Sequence, residues 1–254
     1  MEPYKIYKNC ISKKSSNLFF KFFINLTSSY EKDFCKNTKF SGWSDINFNK
    51  RLIELRKNKK NVFSAIYNSI LKSNSLQRIL FENKLHKIAS DFLKIDESKL
   101  TIKSITFRMD PPNDIKNSYG WHQDSAYDKF NFDSKNGAIL WMPLVNTTRK
   151  NGTIVIKVGS ENSNYNCSKL VKKGTKYKSK QIIIDKKYLK KYRSKHVCVN
   201  KNNALATFSG IFHKSGINAS DKFRFCIIVR YGNLFAKDFI FRRNLNQKHL
   251  QSSV

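Results

Sequence analysis

No apolar stretch in this chain is long enough to cross a bilayer. The longest run near the N-terminus, Leu18 to Leu26, covers nine residues and contains Lys21, against the roughly 20 that a spanning helix needs. Residues 1–17 are polar and no small-residue cleavage site follows the run, which does not fit a secretory leader. No CxxC pair occurs. The five cysteines, Cys10, Cys35, Cys167, Cys198 and Cys226, are scattered and odd in number, which argues for reduced thiols over a disulfide scaffold. These absences together lead to the expectation of a soluble, cytoplasmic protein. Acidic residues are scarce, 18 against 49 lysines and arginines, for a formal net charge of +31. Such a charge suits an anionic partner. It also follows from a compositional drift toward Lys, Asn and Ile at solvent-facing positions. The lysines are spread along nearly the whole chain without a nucleic-acid-binding motif, so no specific nucleic acid is expected. Their densest stretch, Lys169 to Lys201, holds twelve lysines and one arginine against the single acid Asp185, and reads as a solvated loop and helix face.

What is present is enough for a full core: 254 residues, 40% hydrophobic, without repeats or a long linker. Phe19, Phe20, Phe22 and Phe23 suit either a strand or a helix stripe. From about Phe48 to Ile95 the pattern is helical. Val62, Phe63, Ile66, Ile70 and Leu71 keep 3.6-residue spacing behind Asn61 as N-cap, and Leu76, Ile79, Leu80 and Leu85 follow behind Ser75. After Leu100 short strand-like runs take over: Thr101–Met109, Ala138–Leu144, Thr153–Val158, Gln181–Ile184, Ala204–Phe208 and Phe223–Tyr231. One helix is expected to interrupt them near Lys186–Ser194. Many short strands with few helices between them predict a sandwich or barrel.

Three pieces of sequence carry chemistry. In Trp121-His122-Gln123-Asp124, an extended backbone points residues i and i+2 the same way, so an imidazole and a carboxylate can meet at one point, although the pair alone reads equally as an ordinary loop histidine and a turn aspartate. With a distant histidine they make the facial triad that leaves three positions of a non-haem iron(II) ion open. His86 lies in the helical region, His196 in the lysine-rich stretch and His249 in the tail, which leaves His213, just after the strand Ala204–Phe208, as the best placed third ligand. The third piece is Arg224, set among apolar residues in Phe223–Arg230. A hairpin turning between Ala219 and Ser220 would place Ser215 opposite Arg224 and His213 opposite Cys226, on one sheet face. A buried guanidinium needs an anion. A native Asp or Glu would serve, and so would a bound dicarboxylate held by two parallel bonds. 2-Oxoglutarate fits that description, chelating the metal at one end and reaching Arg224 and Ser215 at the other. Trp121, Tyr127 and Asp128 flank the metal point and are candidates for touching substrate.

These stretches resemble the phytanoyl-CoA dioxygenase family of iron(II)/2-oxoglutarate oxygenases. The resemblance rests on WHQD at 121–124, ILWMPL at 139–144, NGTIVIKVGS at 151–160, ALATFSGIFHKSG at 204–216 and DKFRFCIIVRYG at 221–232, in the family's order and approximate spacing. It implies a mainly β fold with flanking helices, a double-stranded β-helix (jelly roll, cupin-like). The whole of residues 1–254 would form a single oxygenase domain, with a mostly helical part to residue 100 packing on the barrel, the core at 101–232 and a basic tail from 233. It implies His122, Asp124 and His213 as iron ligands, with 2-oxoglutarate and O2 as cosubstrates. Arg224 would be the clamp for 2-oxoglutarate, with Ser215, Trp141, Thr106 and Arg108 lining its pocket. The implied activity is hydroxylation of a small molecule, with an anionic one favoured by the charge. Two positions depart from the family pattern. Gly159-Ser160-Glu161 lacks a common histidine, and Asn203 stands where an aspartate is frequent. Neither is a metal ligand. Relatives that halogenate have a small residue in place of the metal-binding Asp, whereas Asp124 is present here. A cupin-like isomerase or hydrolase that uses the same metal without 2-oxoglutarate, and a non-enzymatic basic binding protein, are the competing readings.

Overall fold

The computed structural model describes residues 2–115, 118–128, 134–163, 171–172 and 181–239. A short strand β1 (Tyr4–Tyr7) precedes five helices: α1 (Lys13–Tyr30), α2 (Ile46–Asn58), α3 (Lys60–Lys72), α4 (Asn74–Glu82) and α5 (Leu85–Leu93). The phenylalanine run belongs to α1. Phe19, Phe20, Phe23 and Thr27 are buried on one stripe, and Ser12 caps the helix by accepting from the Ser15 amide at 3.0 Å. Two expected caps shift. Lys59, whose amide closes α2 onto Leu55, precedes α3 and gives it no side-chain cap, so Asn61 already lies inside the helix. Ser73 rather than Ser75 caps α4, accepting from Leu76 at 3.2 Å, because α3 ends at Lys72 and the chain turns at once. No helix among the described residues is long and apolar enough to cross a membrane.

The strands are β2 (Leu100–Asp110), β3 (Gly137–Pro143), β4 (Ile154–Lys157), β5 (Val171–Lys172), β6 (Gln181–Ile182), β7 (Ser194–Val197), β8 (Ala204–Phe208), β9 (His213–Ser215) and β10 (Arg224–Asn233), with short helices α6 (Ser125–Asp128) and α7 (Lys186–Leu189) between them. The helix expected to run to Ser194 stops at Leu189, since Ser194 to Val197 pair with β4. A five-stranded sheet in the order β1-β8-β3-β10-β2 faces a three-stranded sheet β7-β4-β9, and β5 pairs with β6. All pairings are antiparallel. The two sheets form an open jelly roll rather than a closed barrel.

Strand alternation gives the large sheet two working faces. Phe225, Ile227, Val229 and Tyr231 of β10, Ala138, Leu140 and Met142 of β3, and Phe107 and Met109 of β2 pack under the helices. There they meet Phe19, Phe23, Trp43 and Phe48, with Trp43 and Phe225 ring centres 4.9 Å apart. The alternate residues Ile139, Trp141, Leu205, Cys226 and Ile228 face the small sheet, against Ile154, Ile156 and Val197. Helices thus cover one face of the large sheet, and the second face is left to enclose a cavity.

Candidate metal centre

His122 and His213 are joined through their backbones before any metal is considered. The His122 amide donates to the His213 carbonyl at 2.9 Å, and the reverse bond is 3.0 Å. This isolated bridge pins the segment before α6 to β9, and the two imidazole centres lie 4.1 Å apart. Each Nδ1 meets a backbone carbonyl, Gly120 for His122 at 2.7 Å and Ile211 for His213 at 3.0 Å. A carbonyl can only accept, so each Nδ1 carries the proton and each Nε2 presents its lone pair. Oδ1 of Asp124 lies 3.4 Å from Nε2 of His122 and 3.6 Å from Nε2 of His213. All three groups offer a ligand atom within 4.8 Å of one another, and their residues are only 4–7% exposed. Burial pushes the His213 imidazole down to about 4, with His122 acting in the same direction. Burial alone would raise the Asp124 carboxyl. Arg230 outweighs it and holds the group well below the ordinary carboxylate range. Two imidazoles and one carboxylate converging on a point are a donor set for a divalent metal with open positions.

The triad opens into a cavity of about 250 Å³ between the sheets. Thr106, Arg108, Trp141, Ser215 and Arg224 all line it. The route differs from expectation. His213 and Arg224 do not share a hairpin: β9 pairs with β4, and β10 with β2 and β3. Asn218 turns the corner between them, its side-chain amide donating to the carbonyls of Asp110 at 2.9 Å and Lys222 at 2.7 Å. The two residues therefore meet across the sandwich, from opposite sheets.

Arg224 has a native acid partner. Its Nε and Nη2 reach Oδ2 of Asp110 at 3.3 and 2.8 Å, and Arg108 holds Oδ1 of the same carboxylate at 2.5 Å. Burial opposes the charge of Asp110, but the two guanidiniums prevail and lower its pKa. The edge of Arg224 expected to hold a bound dicarboxylate is thus taken. Its Nη1 is buried with no hydrogen-bond partner among the described residues, in a side chain stacked over the Trp141 ring at 6.0 Å.

Trp121 does not line the cavity. It alternates outward from His122, packs near Ile182 and Phe212, and lies under the ammonium groups of Lys157 and Lys214 at 5.2 and 5.1 Å. The side chains of Tyr127 and Asp128 lie outside the described residues. Arg230 and Tyr119, which line the cavity, and Asp110, which lines the neighbouring cleft, were not foreseen from the sequence. Arg230 donates through Nε to Oδ2 of Asp124 at 2.6 Å. Asp110 bridges the two arginines. Tyr119 sets its ring 5.3 Å from both the His122 ring and the Arg108 guanidinium. Arg230 and Asp110 were within reach of alternation, each an even number of residues from an assigned neighbour on its strand. Tyr119 lies in a loop and carried no signal. Tyr119 and Arg108 also line a larger outer cleft of about 1070 Å³ between α2, α3 and the end of β2.

A family model for phytanoyl-CoA dioxygenase matches residues 44–226, more than half of the chain. No curated protein matches. Among solved structures, the non-heme alpha ketoglutarate dependent epimerase SnoN from nogalamycin biosynthesis, in complex with Fe3+, alpha ketoglutarate and nogalamycin RO, aligns with a TM-score of 0.57 at 11% identity, covering 91% of this chain and 79% of its own. The non-heme monooxygenase ThoJ aligns at 0.56 and 16% identity, over 91% of this chain and 74% of its own. AviO1 from Streptomyces viridochromogenes Tue57 aligns at 0.51 and 13% identity, over 92% and 91%. At such identities the likeness is one of fold.

Proposed function

The chain belongs to the phytanoyl-CoA dioxygenase family, and from that premise we propose that it is an iron(II)- and 2-oxoglutarate-dependent oxygenase hydroxylating a small molecule. His122, Asp124 and His213 hold the iron. Ser215 and the open Nη1 of Arg224 receive the far carboxylate of 2-oxoglutarate, with Thr106, Arg108 and Trp141 around it. The observation that carries the reading is the buried Nη1 of Arg224, without a partner among the described residues, in the same cavity as the triad. A buried donor without an acceptor is costly, and an anionic ligand relieves it. The native acid at Asp110 does not compete for that atom; it turns the guanidinium so that Nη1 is the one left over.

The rest follows from the chain's own residues. The Gly120 and Ile211 carbonyls fix both imidazole tautomers. Ile139, Trp141, Ile154 and Ile228 wall the cavity with apolar surface and limit water there. When bound, iron supplies the activation of O2 at the expense of 2-oxoglutarate, which leaves as succinate and CO2 while the substrate gains a hydroxyl group. The carboxylate at 124 supports hydroxylation, since a halogenating site gives up that ligand. The free state of the described cysteines suits a reducing, cytoplasmic setting.

Anaerobic addition of Fe(II) and 2-oxoglutarate should produce a weak visible charge-transfer band, and air should then release succinate. Arg224→Ala should weaken 2-oxoglutarate binding by about 10- to 100-fold, the worth of a charge-assisted hydrogen bond. No band in the wild type, or a band indifferent to Arg224→Ala, would sink the proposal.

A further inference from the structure

Arg230 is the second arginine that β10 turns into the cavity, six residues after the first. Its Nε lies 2.6 Å from Oδ2 of Asp124, while Oδ1 of that carboxylate faces the two Nε2 atoms at 3.4 and 3.6 Å. The two oxygens of one buried carboxylate therefore have separate surroundings. Nη1 of Arg230 is braced by Ser104 Oγ and Thr106 Oγ1, both at 3.4 Å. The backbone sets the aim: the β10–β2 register shifts between Arg230 and Tyr231, where β2 carries Lys103 as an extra residue. Bulges of this kind redirect side chains beside functional sites.

We propose that Arg230 is a positioning residue of the metal centre. By holding Oδ2 of Asp124 it leaves the carboxylate one oxygen, Oδ1, for the metal, and keeps the neighbouring coordination positions open to 2-oxoglutarate. The inference rests on the function proposed above. An unrestrained carboxylate can close on a cation with both oxygens and occupy a position that the cosubstrate needs. A guanidinium one carboxylate away from a divalent ion also repels that ion and attracts a dianion. Both effects run the same way: Arg230 loosens the metal and tightens 2-oxoglutarate. A residue that merely holds the fold together would loosen both.

Two titrations separate these cases. Mn(II) affinity is read from the electron paramagnetic resonance of the free ion, and 2-oxoglutarate affinity from the anaerobic Fe(II) absorption band. Arg230→Gln should bind Mn(II) as tightly as the wild type or more tightly, and 2-oxoglutarate about tenfold or more weakly. Arg230→Lys, which keeps the charge, should recover most of the cosubstrate affinity. An unchanged 2-oxoglutarate affinity in Arg230→Gln overturns the proposal, and so does a parallel loss of both ligands. A measurement on the wild type removes any dependence on the variant's folding. In isotope-edited infrared spectra of the Mn(II)-loaded protein with labelled aspartate, a one-oxygen ligand splits the two carboxylate stretches more widely than a free carboxylate does. A narrow splitting, the sign of chelation, overturns the proposal. A wild type that takes up no 2-oxoglutarate removes the function reading and this inference with it, whereas a wild-type band that Arg230→Gln leaves unaltered removes this inference alone.

Discussion

At the scale of single residues, Asp110 decides the electrostatics of the cavity wall. Its carboxylate pairs with both Arg108 and Arg224. Asp110→Asn should leave the buried Arg224 and the partly buried Arg108 guanidiniums without their shared counter-charge. The expected loss is about 3–5 kcal/mol of folding stability, measured by urea unfolding. His213 predicts a pH dependence. Burial holds its folded pKa at about 4, against 6.5 ordinarily. Between those values the unfolded chain takes up a proton that the fold refuses. Without metal, stability should therefore fall as pH drops from 6.5 toward 4, with a slope approaching about 1.4 kcal/mol per pH unit. His213→Gln should flatten that slope in thermal melts, and the carboxylates act in a lower window. At this scale the sequence was most legible for His122, Asp124 and His213, because residue type and alternation define a ligand. The partner of Arg224 was not legible. Asp110 ends a strand more than a hundred residues earlier, and nothing local couples them.

At the scale of elements, the helices and strands followed their periodicities, while the connections did not. Apolar spacing located α3, α4 and the main strands, and the phenylalanine run, equally suited to a strand, became α1 once a helical core closed around it. Caps moved by two residues where a turn came sooner than expected, as at Ser73. Ser73→Ala should cost about 1 kcal/mol, read as a lowered melting temperature, because the Leu76 amide loses its acceptor. The assumed hairpin between His213 and Arg224 failed for a related reason. Opposed residues on one sheet and facing residues on two sheets give the same convergence, and pattern alone does not separate them. The corner that does so depends on Asn218 and on two glycines in backbone contact. Gly152 has φ +82°, and a Cβ there would lie 2.6 Å from the Gly216 carbonyl oxygen, while a Cβ at Gly216 would collide with the carbonyl of Thr153. Gly216→Ala should therefore displace the end of β9 that carries Ser215, lowering metal affinity and melting temperature together.

For the molecule as a whole, the excess of positive charge is the dominant fact. With a net +31, the folded state carries self-repulsion that salt screens over about 10 Å at 0.1 M. Raising monovalent salt from low ionic strength should raise the melting temperature, whereas a protein whose charges were mutually paired would not respond. A sandwich or barrel was legible as a class from strand count and spacing, and the jelly roll from the family resemblance. The division of labour between its layers was not, since it exists only when helices cover one face.

The two-faced character of β10 bears on how this chain can change over generations. Its odd-numbered side chains, from Phe225 to Tyr231, belong to the helical layer, and its even-numbered ones, from Arg224 to Arg230, face the small sheet and the cavity. Deleting a single residue near the start of that strand would exchange the two sets, sending guanidiniums into the aromatic core and rings toward the metal. The strand can drift by substitution on either side, but its length is frozen, and lineages of this protein should record insertions everywhere before they record one there.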